Sequence, residues 1–250
     1  MFWHGLIENK TLGIIKNTLT DNVVQNSKLL LINALAIDME WKSDFEFDKT
    51  QSREFNLANG EKLNATTLHK KTSEDDMSYY KDNDITALKI DLKKYNDTQL
   101  EFLAIMPNKS SLSTYIKGIT TNDIGSINKK MILASNTQHG LSVYIPKFSF
   151  NYDLKLKEDL INLGIKDAFT TSADFSNMTT SNQGLYVNDA IHKANIDFTE
   201  KGVKAAAVTA FSMKATAVVN KEEPERIIID KPFMFVIKDK NADEIWFVGT

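Results

Sequence analysis

The 250-residue sequence predicts an α+β protein, built as two or more sheets with a few peripheral helices. Strand signals run from Ser27 to the last residue, helix signals are few, and no repeat or linker divides the chain. Hydrophobic residues at 42% and charged residues at 25% are globular values, while only 10 Gly and 4 Pro exclude collagen-like and low-complexity classes. At about 150 residues per domain, one large domain and two small ones are both open.

Residues 5–17 form a weak helix candidate. Residues 29–37 are almost continuously apolar, which predicts a strand covered on both faces and central in a large sheet. Asn33 interrupts that run; a buried amide left unpaired costs about 1–3 kcal/mol, so Asn33 requires a partner. Further strands are expected at 85–92, 100–106, 141–150, 191–198, 227–229, 233–237 and 244–248, where short apolar runs are bounded by turn residues. Residues 111–130 predict two short helices broken at Gly118 and Gly125. In residues 151–163 the spacing of Leu156, Leu160 and Leu163 predicts an amphipathic helix, with Gly164 as its C-terminal cap. The acidic run Glu74, Asp75, Asp76 falls in a polar loop and reads as solvated surface.

Thirty basic and 33 acidic residues give a net charge of −3, too small to draw in nucleic acid or an anionic membrane. The absence of cysteine removes disulfides, thiolate nucleophiles and Cys-based zinc or iron–sulfur sites. His4, His69, His139 and His192 are not spaced to share a helix face or strand pair, so no metal site is expected. Gly-x-Ser-x-Gly, P-loop and dinucleotide-binding patterns are missing, which leaves serine hydrolase, nucleotide and dehydrogenase readings with nothing to stand on. No apolar run approaches the roughly 20 residues that span a bilayer, so a soluble protein is expected. The opening MFWHGLIENK lacks the regions of a signal peptide.

The unusual segment is residues 200–219, EKGVKAAAVTAFSMKATAVV, small residues with only four charges between two strand signals. Locally it reads as a long loop or, since Ala is the best helix former, a helix. With a period of two, Val203, Ala205, Ala207, Thr209 and Phe211 share one apolar or small face, and Lys204 falls on the other. Such a segment can be exposed in one state and a buried strand in another.

At this point the chain resembles the serpins over nearly its whole length. The resemblance rests on five stretches in order: Leu31-Ile32-Asn33-Ala34 with Trp41, Lys42 and Phe45; Tyr144-Ile145-Pro146-Lys147-Phe148; the helix before Gly164; Ile191-His192-Lys193-Ala194 through Phe198-Thr199-Glu200-Lys201-Gly202 into Ala205, Ala206 and Ala207; and Asp230-Lys231-Pro232-Phe233-Met234-Phe235. It implies one partial serpin domain over residues 1–250, a multi-sheet fold with peripheral helices and an exposed reactive-centre loop at about 200–224. The chain would be incomplete at both ends, beginning before the third strand of the main sheet and stopping inside the last strand.

Site residues are carried over singly. Asn33 and His192 match the polar pair where the family's main sheet parts, which would supply the partner Asn33 needs. Trp41, Lys147 and Glu200 match the group at the top of that sheet. Gly202, Val203, Ala205, Ala206, Ala207 and Thr209 match the hinge, with Lys204 as a departure. The implied function is protease inhibition by a suicide substrate: a serine or cysteine protease cleaves the loop, an acyl-enzyme forms, and the hinge inserts as a new strand. Counting forward from Gly202 puts the scissile bond at Thr216-Ala217; counting back from Pro232 puts it near Lys221. Thr216 suits an elastase-like or subtilisin-like enzyme, whereas Lys214 or Lys221 suits a trypsin-like one. The resemblance also implies a monomer that works outside the cell or in the periplasm. The alternative is a non-inhibitory relative with a binding, storage or chaperone role, or an inactive fragment.

Overall fold

A computed structural model describes residues 7–16, 27–178, 184–203, 223–242 and 244–250. The chain forms two compact units, residues 1–37 with 149–197, and residues 38–148 with 198–250.

In the first unit, β1 (Leu29–Ala36) runs parallel to β11 (Val187–Phe198), and β10 (Phe148–Lys155) pairs with β11 on its other side. The β1–β11 register sets Leu30 opposite Asp189, Asn33 opposite His192 and Ala36 opposite Asn195. The expectation of a strand covered on both faces is corrected here. Among the described residues β1 pairs only with β11, Leu31 is 53% exposed, and Asn33 is exposed as well. Asn33 therefore faces solvent and does not carry the cost of a buried amide.

The helix expected over 151–163 is also shorter. Residues 148–155 continue as β10, and only α3 (Lys157–Asn162) is helical. Alternating half-burial at Phe148, Phe150 and Leu154 beside β11 wins over the leucine spacing. The cap holds: Gly164 has φ +99°, its N–H donates to Ile161 O at 3.0 Å, and Ile165 N–H donates to Leu160 O at 2.9 Å. Those two bonds make a Schellman motif. Leu156 and Leu160 pack on Phe169, Val187 and Ala190, whereas Leu163 is 80% exposed. Of the weak N-terminal helix expected over 5–17, residues 7–10 are helical among the described residues, and Leu12 and Gly13 follow in the left-handed region.

The second unit holds two sheets and a ribbon. A six-stranded sheet has the order β15 (Ile245–Gly249), β14 (Met234–Asp239), β7 (Leu100–Pro107), β6 (Ile85–Asp91), β5 (Met77–Lys81), β8 (Ile132–Leu133). Every residue of β7 is buried, as the continuous apolar run predicts for a strand covered on both faces. One face takes Ile124 and Ile127 of α2 (Thr121–Lys129) against Ile85, Ala87, Leu103, Ile105, Met234 and Val236, with α1 (Leu112–Gly118) alongside through Leu112 and Tyr115. Gly118 ends α1, but Gly125 lies within α2 and breaks nothing. The true start signal of α2 is a capping box, with Thr120 N–H donating to the Asp123 carboxylate at 2.8 Å and Thr120 Oγ1 accepting from Asp123 N–H.

A four-stranded sheet has the order β13 (Glu225–Ile228), β9 (Leu141–Pro146), β4 (Lys62–Thr72), β3 (Gln51–Asn56). The ribbon is β2 (Met39–Glu40) against β12 (Gly202–Val203).

The acidic run needs correction at one residue. Glu74 and Asp75 are exposed, but Asp76 is only 2% exposed. Its carboxylate accepts from Lys70 Nζ at 2.8 Å, Thr72 Oγ1 at 3.2 Å and Ser43 Oγ, and Lys70 Nζ also donates to Ser43 O at 3.0 Å. Burial pushes the Asp76 carboxyl up, but the bonds from Lys70 and Ser43 outweigh it and hold the group below its ordinary value. No helix among the described residues is long and apolar enough to cross a membrane.

Candidate functional site: the hinge turn

The site is a reversal of the chain at the end of β11. Phe198 pairs with Val203, and the turn between them closes when Thr199 N–H donates to Gly202 O at 2.9 Å, with Thr199 Oγ1 on the same carbonyl at 3.0 Å. Val203 is fully buried. It has partners on both sides, Phe198 on one and Met39 of β2 on the other, and Gly202 lies opposite Glu40.

Three successive carbonyls of the turn are bonded by residues 41–45. Trp41 Nε1 donates to Thr199 O at 2.8 Å, Phe45 N–H to Glu200 O at 2.9 Å, and Trp41 N–H to Lys201 O at 2.9 Å. Backbone carbonyls at a buried turn need such donors, and Trp41, fully buried itself, needs an acceptor for its indole. The aromatic body of Trp41 lies 5.0 Å from the Phe198 ring, which also meets Phe102 at 4.7 Å and Phe148 at 4.9 Å. Each such pair adds about 0.5–1.5 kcal/mol beyond area burial. The base of the turn is therefore anchored in the core.

Two ion pairs fix its side chains. Glu200, 4% exposed, accepts from Lys147 Nζ at 2.9 Å and Thr50 Oγ1 at 3.1 Å. Burial pushes the Glu200 carboxyl up, yet Lys147, by hydrogen bond and charge, and Thr50 hold it below the usual carboxylate value. Lys201 Nζ meets Asp44 at 2.6 Å.

The three residues Trp41, Lys147 and Glu200 thus come together, although Trp41 acts on the backbone and not on the ion pair. Gly202 is seated for a reason other than a pivot. A Cβ there would overlap the Met39 carbonyl and lie 2.6 Å from Glu40 Cα, so only glycine permits β12 to approach β2 this closely. Thr50, Asp44 and the Phe45 amide escape sequence reasoning, since they stand about 150 residues from the turn in the chain and carry no local signal.

Asn33 and His192 are neighbours across the β1–β11 ladder. Among the described residues no hydrogen bond joins their side chains; the His192 ring instead meets Tyr152 edge-on at 6.1 Å. Of the hinge residues, Gly202 and Val203 are described. Lys204, Ala205, Ala206, Ala207 and Thr209, and the bond candidates Lys214, Thr216, Ala217 and Lys221, lie outside the described residues. Among the described residues no group of three His, Cys, Asp or Glu side chains is placed to hold a metal.

Comparison with known proteins points to one family. A family model described as Serpin (serine protease inhibitor) covers residues 5–250. Glia-derived nexin of Rattus norvegicus is 31% identical, over 99% of this chain and 60% of its own length. Iris of Ixodes ricinus is 28% identical over 98% of this chain and 63% of its own. Among solved structures, native protease nexin-1 with heparin superposes with a TM-score of 0.76 at 27% identity, covering 99% of this chain and 64% of that one. The thermophilic serpin Tengpin in its native state gives 0.75 at 27% identity, covering 96% and 59%. The chain thus spans about 60% of the length of these relatives, and by family match and fold it belongs to the serpin family.

Proposed function

We propose that the protein inhibits serine proteases as a suicide substrate, with the segment about 200–224 as bait. The supporting observation is the seated start of the hinge. The Glu200-Lys201 turn has already reversed the chain, Val203 already pairs antiparallel with Phe198 on one side and Met39 on the other, and Gly202 pairs with Glu40. A chain continuing from Val203 in that direction would run antiparallel to β11 and could enter between β11 and β1. Opening one parallel ladder would then form two antiparallel ones, a net gain of strand hydrogen bonds. The tract after Val203 offers Ala205, Ala207 and Thr209 for burial, none of them charged, so no ionisable group would have to be desolvated on that face.

In this reading the protease supplies the chemistry. Its nucleophile attacks a carbonyl in the bait and forms the acyl-enzyme; insertion of the freed hinge then carries the enzyme away and distorts its active site before water completes hydrolysis. The inhibitor needs no catalytic residue or cofactor. We assign the first-choice scissile bond to Thr216-Ala217, with an elastase-like or subtilisin-like target, and keep Lys214 and Lys221 for a trypsin-like one. A monomer acting outside the cell or in the periplasm, where such proteases are met, fits the same reading.

The test is to mix the protein with elastase, subtilisin and trypsin and look for a covalent complex that survives boiling in detergent. A band at the summed mass is expected with at least one enzyme. Clean cleavage within 204–222 with no complex would favour a non-inhibitory role.

A further inference from the structure

A second surface of the molecule carries charge that nothing above uses. On one face of the four-stranded sheet, register sets Lys71 of β4 and Arg226 of β13 on either side of Ser142 of β9. In the adjoining row His69 lies opposite Tyr144, its ring stacked on the phenol at 4.3 Å and 10°, and its Nε2 is 3.1 Å from Ser142 Oγ. Two guanidinium groups flank the same phenol, with Arg53 Cζ at 4.3 Å from the ring centroid and Arg226 Cζ at 5.8 Å.

Among the described residues Arg53, Lys71 and Arg226 form no ion pair with a carboxylate; Arg226 is held first by a hydrogen bond to Tyr144, and the charge of Glu223 acts on it more weakly. The local potential registers on His69, which is held below its ordinary value by burial first and then by Lys71, Arg53, Lys49 and Arg226. Buried Tyr144 and Ser142 form the floor, while Lys71 and Arg226 are exposed. A positive face on a chain of net charge −3 is a local concentration rather than a general excess. Arg226 also stands only three residues after Glu223, at the return of the bait segment into the sheet.

We propose that this face is a second contact for the attacking protease, selecting enzymes with an acidic surface beside the active-site cleft; the inference rests on the bait reading above. Arginines stacked on an aromatic ring are held ready, so less freedom is lost when a carboxylate arrives. Exposed charges act chiefly on encounter, raising association rates by about 10-fold to 1,000-fold at low salt.

Anionic and cationic trypsin share a bond preference and differ in net charge, so they separate this contact from the chemistry of the bait. The rate constant for attack within 204–222 is measured with each from about 0.01 M to about 1 M salt, as the Debye length falls from about 30 Å to about 3 Å. The anionic form is expected to react about 10-fold faster or more at low salt, with the advantage gone at high salt. Arg53→Glu with Arg226→Glu should abolish that advantage without slowing the cationic form, and the two Arg→Lys changes should keep it. Arg226→Glu alone, at an exposed side chain, serves if the double reversal fails to fold. An advantage that survives charge reversal, equal rates for the two isoforms, or equal losses with both, overturns the proposal. Attack by neither isoform within 204–222 would instead sink the bait reading and this contact with it.

Discussion

Glu200 concentrates the electrostatics of the hinge turn in one carboxylate. Its folded pKa lies below its ordinary value because Lys147 and Thr50 outweigh the effect of burial. The sign follows from linkage: the stabilisation is complete above the unfolded value near 4.5 and is lost as pH falls through the lower folded value. Lys147 keeps 39% of its side chain exposed, so screening limits the pair to about 1 kcal/mol. Glu200→Gln should therefore flatten the dependence of melting temperature on pH between about 5 and 3, while lowering the melting temperature only slightly at pH 7. A variant whose acid limb matches the parent's would show that other carboxylates carry that dependence.

At the scale of elements, the turn from β4 into β5 depends on a buried ion pair, Lys70 with Asp76, 7% and 2% exposed. Removing one member leaves the other charge buried without its partner, which typically costs about 3–5 kcal/mol, whereas replacing both by apolar groups can be neutral. Asp76→Asn should lower the urea midpoint far more than Lys70→Met combined with Asp76→Leu; equal losses would mean that the pair matters through packing alone. The same pair explains why this region was hard to read. Strands β3 and β4 are largely polar at the surface, without the apolar runs that mark β6, β7, β9 and β14, and the partners of Asp76 at Ser43 and Lys70 are unrelated to it in local pattern. Apolar content identified β6, β7 and β14 to within two residues, whereas the run expected at 141–150 holds β9 as far as Pro146 and then the start of β10. It misjudged β1, where Leu31 faces solvent, and β10, where leucine spacing competed with alternation.

Over the whole molecule, Trp41, Lys147 and Glu200 became legible through family resemblance rather than local pattern, because the turn is assembled from contacts distant in the chain. Local sequence did reveal the tract of small residues after Gly202, with one face free of charge, and that tract sets the strongest expectation for the bait reading. The β1–β11 ladder runs in regular register from Leu30 to Ala36, and Gly202–Val203 is the paired part of the tract among the described residues. If insertion is favourable but blocked by the uncut loop, the starting fold is held kinetically. One proteolytic cut between 204 and 222 should then raise the melting temperature by about ten degrees or more, since a full added strand contributes many bonds and about 2–4 °C accompanies each 1 kcal/mol in a domain of this size. The Ala205→Glu and Ala207→Glu variants should be cut as readily yet gain little, because each places an unpaired charge on the face to be buried. Calorimetry before and after limited subtilisin treatment decides the matter: a nicked protein that melts where the intact one does would remove strand insertion, and with it the trap.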